Sequence, residues 1–139
     1  MAAAHTHLSA LPGIPPPATD AEALRLVEQR LDTSIIGHLV ELGLERAEID
    51  ASVIPSRTLQ HRRSRHEKLS IEESDRVVRI LRVVSAATDL YGARERALAW
   101  LRQPNPRLDN RTPISLLKTD TGSRIVEELL LQIAEGIYV

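Results

Sequence analysis

The chain has no cysteine and no phenylalanine, and its 139 residues include one Trp and two Tyr. Without cysteine there is no disulfide scaffold, thiol nucleophile, thiolate zinc site or iron-sulfur site, and nothing calls for an oxidising compartment. Scarce aromatics remove the stacking platforms that grip single-stranded nucleic acid and leave the core to aliphatic side chains. No apolar run approaches the roughly 18 residues that a membrane span needs, and the first residues lack the charged-then-apolar layout of a secretory signal. The expectation is a cytoplasmic protein with no membrane partner. Also missing are a glycine-rich phosphate loop, a metal-ligand spacing and a nucleophile-base pair, so neither an enzyme nor a cofactor is expected. His61 and His66 lie five apart, do not share a helical face, and read as polar contacts rather than metal ligands.

What is present is branched aliphatic carbon. Forty of the 139 residues are Leu, Val or Ile, well above the roughly 20% below which a chain tends to stay disordered. A core of this kind in two small units gains further burial by dimerising. Charge is uneven: residues 1–56 carry eight acids and three bases, residues 57–68 five bases and one acid, and residues 69–139 ten of each. A compact basic segment is thus hidden inside a formal net charge of -1.

The first twenty residues hold four of the eight prolines and one charge, and show no helical or strand period. They read as a flexible leader, residues 1–20. From Ala21 the pattern is helical: Leu24, Val27 and Leu31, then Ile35, Leu39 and Leu42, with a break and N-cap at Asp32 to Ser34 and an end at Gly43. Leu44 to Ala51 makes a short third helix. Pro55 suits the first position of a fourth, which runs unbroken from Ser56 to His66.

A short helix, a tight link and a second helix rich in basic and amide side chains is the arrangement of a helix-turn-helix DNA reader. Leu59 is its inward anchor; Ser56, Arg57, Gln60, His61, Arg62, Arg63 and Arg65 are the candidate DNA contacts. Arg can bond guanine bidentately and Gln adenine, and further arginines neutralise phosphates whatever the sequence. The same residues also suit a solvated helix end, where the dipole favours cations.

Beyond residue 68 the punctuation is strong. Ser70 and Glu73 form a capping box. Val77, Ile80, Leu81, Val84, Ala87, Leu90 and Tyr91 then make an apolar stripe ending at Gly92. The opposite side, with Glu72–Arg76 and Asp75–Arg79 spaced four apart, reads as a paired, solvated face. A helix from Ala93 to about Arg102 follows, with Trp100 as the largest expected core element of this half. Pro104-Asn105-Pro106 stops it. Thr112-Pro113 starts a short turn with Thr112 as N-cap, and Thr119 to Gly122 opens a last helix that Gly136 closes. The apolar Ile137-Tyr138-Val139 end either packs on its own domain or meets a partner. The fold class is therefore all-α, an N-terminal helix-turn-helix bundle over residues 21–68 followed by a small helical domain over residues 69–139.

Several spaced motifs in that second half occur together and in order: Leu69-Ser70, Glu73-Ser74-Asp75-Arg76, Ala99-Trp100-Leu101 with Pro104-Asn105, Arg111-Thr112-Pro113, Leu116-Leu117, Thr119-Asp120 with Gly122, and Glu135-Gly136. With them, residues 69–139 resemble the C-terminal toxin-binding domain of the Xre/MbcA/ParS antitoxin family. The stretch IPSRTLQHRRS resembles the N-terminal half of Xre-type antitoxins, whereas the proline-bearing leader departs from the pattern. The resemblance implies an antitoxin whose cognate partner is a RES-domain toxin that consumes NAD. Similar proteins obstruct the toxin's active site through the C-terminal domain, dimerise, and repress their own operon by binding operator DNA. Carried over, toxin contact falls on Ile137, Tyr138 and Val139, and on Thr119, Asp120, Thr121 and Gly122, a turn that helix capping explains equally well. Arg111 is divided between a partner contact and an internal carboxylate.

Overall fold

The computed structural model describes residues 17–137, so the leader up to residue 16 and the terminal Tyr138 and Val139 lie outside the described residues. The described chain folds into seven α-helices: α1 (Asp20–Gln29), α2 (Ile35–Leu42), α3 (Arg46–Ser52), α4 (Ser56–Ser64), α5 (Ile71–Tyr91), α6 (Arg94–Leu101) and α7 (Asp120–Ala134). Short 3₁₀ turns, Pro106–Leu108 and Pro113–Leu116, lie between α6 and α7. No strand occurs among the described residues; Asn105 and Arg111 form an isolated bridge. The all-α class with a helix-turn-helix half and a helical C-terminal half is what the structure shows.

The axis of the fold is α5, whose 21 residues span about 31 Å at 1.5 Å per residue. It starts on the expected capping box: the Ser70 hydroxyl accepts the Glu73 N–H at 3.1 Å, and the Glu73 carboxylate accepts the Ser70 N–H at 2.7 Å. Val77, Val83, Val84 and Ala87 on α5 are fully buried. Against α5 pack α1 from the N-terminal half and α6 and α7 from the C-terminal half, around one continuous aliphatic core. The chain also ties α1 to the start of α5 through its backbone: Leu31 N–H donates to the buried Ser74 hydroxyl at 2.9 Å, and Leu69 N–H to the Leu31 carbonyl at 2.9 Å.

Several local expectations shift. Pro55 is not the first helical residue of α4; its extended backbone (ψ 142°) makes it the N-cap, and Ser56 opens the helix. The helix ends at Ser64 rather than His66, because His66 turns left-handed (φ 55°) and the Glu67 N–H returns to the Arg62 carbonyl. The third helix starts at Arg46, capped by a Glu45–Glu48 box, while Leu44 is buried ahead of it. Thr112 precedes its turn but makes no side-chain cap. Trp100 is half-buried against Tyr91 at a ring separation of 6.0 Å, and smaller aliphatic side chains, Leu101 and Leu117 among them, are the fully buried residues of this half. The charged stripe on α5 is not simply solvated. Asp75 pairs with Arg79 as expected, but Arg76 donates to the Val53 carbonyl of the N-terminal half and Arg82 pairs with Asp20 of α1.

Two glycines are required, the first by its backbone angle and the second by space. Gly43 ends α2 at φ 115°, and a Cβ there would stand 2.6 Å from the Leu98 side chain of α6. At Gly122 a Cβ would collide with the Leu116 carbonyl, so the first turn of α7 seats directly on the turn before it. Gly37, by contrast, has open space in α2. Gly122→Ala is expected to lower stability by about 1–3 kcal/mol through overpacking, while Gly37→Ala raises it by about 0.5–1 kcal/mol through helix propensity. Urea denaturation of both variants checks this pair of opposite signs.

Candidate functional site: the basic helix and the C-terminal end

Helix α4 offers its polar side chains very unequally. At 100° per residue, Leu59 (8% exposed) and Arg62 turn toward the body of the protein, whereas Arg57, Gln60, His61 and Ser64 share the outward face and Arg63 flanks it. Ser64 was not among the residues expected there; its hydroxyl donates to the His61 carbonyl at 2.8 Å. Arg65 follows the helix as its C-cap and is exposed beside Glu67.

Arg62 departs from its expected role. Its Nε donates to Glu73 Oε1 at 2.7 Å, one Nη to Glu73 Oε2 at 3.2 Å and the other to Glu67 Oε2 at 3.1 Å. A bidentate pair of this kind satisfies a planar guanidinium and leaves little of it for a phosphate. Burial pushes the Glu73 carboxyl up, but the Arg62 hydrogen bonds, the Ser70 N–H and the Arg62 charge outweigh it and hold the group below its ordinary value. Arg62 is therefore a strut between α4 and α5.

Ser56 is also engaged. Both its N–H (2.6 Å) and its hydroxyl (3.0 Å) donate to Asp50 Oδ1 from α3, and those bonds lower the Asp50 pKa. An internal carboxylate thus sits at the positive end of the recognition helix, where a DNA phosphate would otherwise be welcome. On the near side of α4, Arg63 and Arg46 line a small groove over Ile36 and Val40, and neither forms an ion pair among the described residues.

The turn that aims α4 is braced from the C-terminal half. Arg76 on α5 holds the Val53 carbonyl at 3.1 Å. Arg102, just after α6, donates to the Gly43 carbonyl at 2.7 Å and bidentately to Glu48 at 2.9 and 2.8 Å. That pair holds the Glu48 carboxyl low, against a smaller upward push from burial, with help from the Glu45 N–H.

At the other end of the molecule, the Thr119 hydroxyl accepts the Gly122 N–H at 3.0 Å, so the Thr119-to-Gly122 turn is a helix cap. Asp120 pairs with Arg124 at 3.0 Å, Thr121 is exposed, and Gly122 is buried against Leu116. A buried Gly122 offers nothing to a partner directly. Arg111 is exposed and forms no ion pair among the described residues, so the internal-carboxylate alternative finds no support. Ile137 is 58% exposed and continues from the end of α7.

Both ends have counterparts in known proteins. Residues 22–82 match the antitoxin Xre-like helix-turn-helix domain, and residues 86–136 match the antitoxin Xre/MbcA/ParS C-terminal toxin-binding domain. Antitoxin Xre of Pseudomonas putida is 36% identical over 129 residues, covering 93% of this chain and 81% of the relative. The chain belongs to the Xre/MbcA/ParS antitoxin family. Antitoxin Xre of Yersinia enterocolitica is 39% identical over 98 residues (69% of this chain, 66% of the relative). A Sphingobium protein named Prs ADP-ribosylating antitoxin is 32% identical over 103 residues (68% and 65%). The two matched regions of this antitoxin-family chain meet inside α5, the helix that both halves pack upon. No helix among the described residues is long and apolar enough to cross a membrane.

Asp50, Glu73, Glu48 and Arg102 shape the recognition helix, roles that the sequence pattern did not disclose. Their partners lie 6 to 54 residues away, beyond any helical spacing. Arg62→Ala is expected to cost about 2–4 kcal/mol by stranding Glu73, discounted for the partial exposure of the pair; Arg57→Ala is expected to leave thermal stability within about 0.5 kcal/mol of the parent. For Glu48 and Glu73 the folded pKa lies below the unfolded value of about 4.3. Their contribution is therefore complete above that pH and lost as pH falls through the folded values. Denaturation midpoints followed from pH 6 to 3 should fall, and by less in Glu48→Gln.

Proposed function

We propose that this chain is a cytoplasmic antitoxin that blocks the active site of a cognate RES-domain, NAD-consuming toxin and represses its own operon as a DNA-binding homodimer. The observation that carries the reading is the exposed, uncommitted set Arg57, Gln60 and Arg63 on a braced recognition helix, in a chain whose other half matches a toxin-binding domain. Arg57 and Gln60 have the chemistry to read base edges, with Arg63, Arg46 and Arg65 available to phosphates. A two-fold dimer places two such helices on a palindromic operator. The name of the Sphingobium relative joins an antitoxin to ADP-ribosylation, a chemistry whose usual donor is NAD, which supports a toxin of that type. Fit, not bond chemistry, is the mode of action: the exposed apolar end at Ile137, continued by Tyr138 and Val139, enters the toxin's cleft, with Arg111 as a flanking contact.

A second reading rests on Asp50. With its carboxylate at the start of α4, the helix-turn-helix can serve as a scaffold that does not bind DNA, leaving a toxin-binding module alone. A gel shift on the chain's own promoter separates the two.

For the DNA half, Arg57→Ala with Arg63→Ala should weaken operator binding and flatten its salt dependence by about 0.9 in log-log slope for each phosphate no longer neutralised. An unchanged slope would remove these residues from the interface. For the toxin half, deleting residues 137–139 should weaken rescue of cells from a co-expressed toxin while operator binding persists. Loss of both activities would mean that the tail is simply part of the fold.

A further inference from the structure

Helices α5 and α7 leave between them a groove of about 600 Å³ whose walls include Ala86, Leu90, Leu130, Leu131 and Ala134. Leu131 is 58% exposed on it, and Ala86 and Ala134 are exposed as well. Such a run of uncovered aliphatic surface costs solvation free energy unless something lies on it.

Glu127 stands at the polar edge of this groove and also lines the neighbouring cleft toward α1. The arginines around it are already engaged: Arg82 with Asp20, Arg79 with Asp75 and Arg124 with Asp120. Glu127 itself is half-buried and forms no ion pair among the described residues. Burial, more than the nearby carboxylates of Asp120 and Asp20, pushes its carboxyl above the ordinary value despite Arg82 and Arg124. An acid held in this way is stabilised when a cation is delivered to it from outside.

Two observations say what lies here. Every residue lining the groove except Arg82 falls within residues 86–136, the region that matches the toxin-binding domain. The groove also runs to Ala134, the last residue of α7, from which the exposed Ile137 and the tail continue. We propose that the α5–α7 groove is a docking surface for the toxin, receiving a segment that carries apolar side chains around one basic residue, whose charge pairs with Glu127. This rests on the toxin-binding reading above and adds to it a lateral anchor, so that the tail is not the sole contact.

The test uses the full chain with the cognate toxin in a catalytically disabled form, measuring Kd by titration calorimetry. Leu131→Asp and Glu127→Arg are expected to raise Kd at least tenfold, and Glu127→Gln severalfold. Ile125→Asp, on the opposite flank of α7, should stay within twofold. Operator binding and thermal midpoint report the fold, and Glu127→Gln, which removes a half-buried charge, keeps the test open if the larger changes unfold the chain. Unchanged toxin affinity in Leu131→Asp and Glu127→Gln would overturn the proposal. So would a change in the size of the free chain with toxin affinity intact, which would assign the groove to a second copy, or a loss confined to Ile125→Asp, which would move the contact across α7. If the parent chain itself shows no affinity for the toxin, the antitoxin reading fails along with the groove; if the parent binds and the variants bind alike, the groove alone fails.

Discussion

The Glu73 carboxylate sits where the recognition helix, the link after it and the start of α5 meet, and it is 7% exposed. It closes the capping box with Ser70 and holds Arg62 by two hydrogen bonds. A carboxylate so placed must be satisfied at once by a cation and by backbone donors, or it forces the structure open. Meeting that condition fixes the angle of α4 against α5, and with it which arginines face away from the protein. The basic segment of the sequence is thereby split into a structural strut, Arg62, and side chains left for a partner.

The brace on the turn works alongside it. Arg76 reaches the Val53 carbonyl and Arg102 reaches Gly43 and Glu48, so the helix-turn-helix geometry depends on side chains from outside it. Since α5 also carries α6 and α7, a single rod underlies both the helix-turn-helix half and the half that matches a toxin-binding domain. The structure has no hinge-like linker at residues 68 and 69: Leu69 is fully buried and hydrogen-bonded to Leu31. Whatever docks at α7 therefore meets the same helix that seats the recognition helix.

Much of the fold was legible because its signals are local. The Ser70–Glu73 box, the glycines at 43 and 92 and the aliphatic periods of α2 and α5 each act within a turn or two of helix, and each appears as expected. The misses are equally instructive. The cap of α3 uses Glu45, outside the usual Ser, Thr, Asp and Asn set. The Glu72–Arg76 pairing inferred from spacing gave way because a buried carbonyl at Val53 made a better use of Arg76 than a solvent-exposed pair, which stabilises by only a few tenths of a kcal/mol.

By itself the sequence determined the helical class, the order and rough limits of the helices, the position of the basic helix and the family, because periodicity, caps and spaced motifs are written within a few residues of one another. Only the tertiary structure decided which members of the basic cluster are free, that Gly122 packs against a backbone rather than facing a partner, and that Glu127 forms no ion pair among the described residues. The physical reason is the same in each case: pairing and burial depend on what other helices bring within about 3 Å, and those neighbours are distant along the chain.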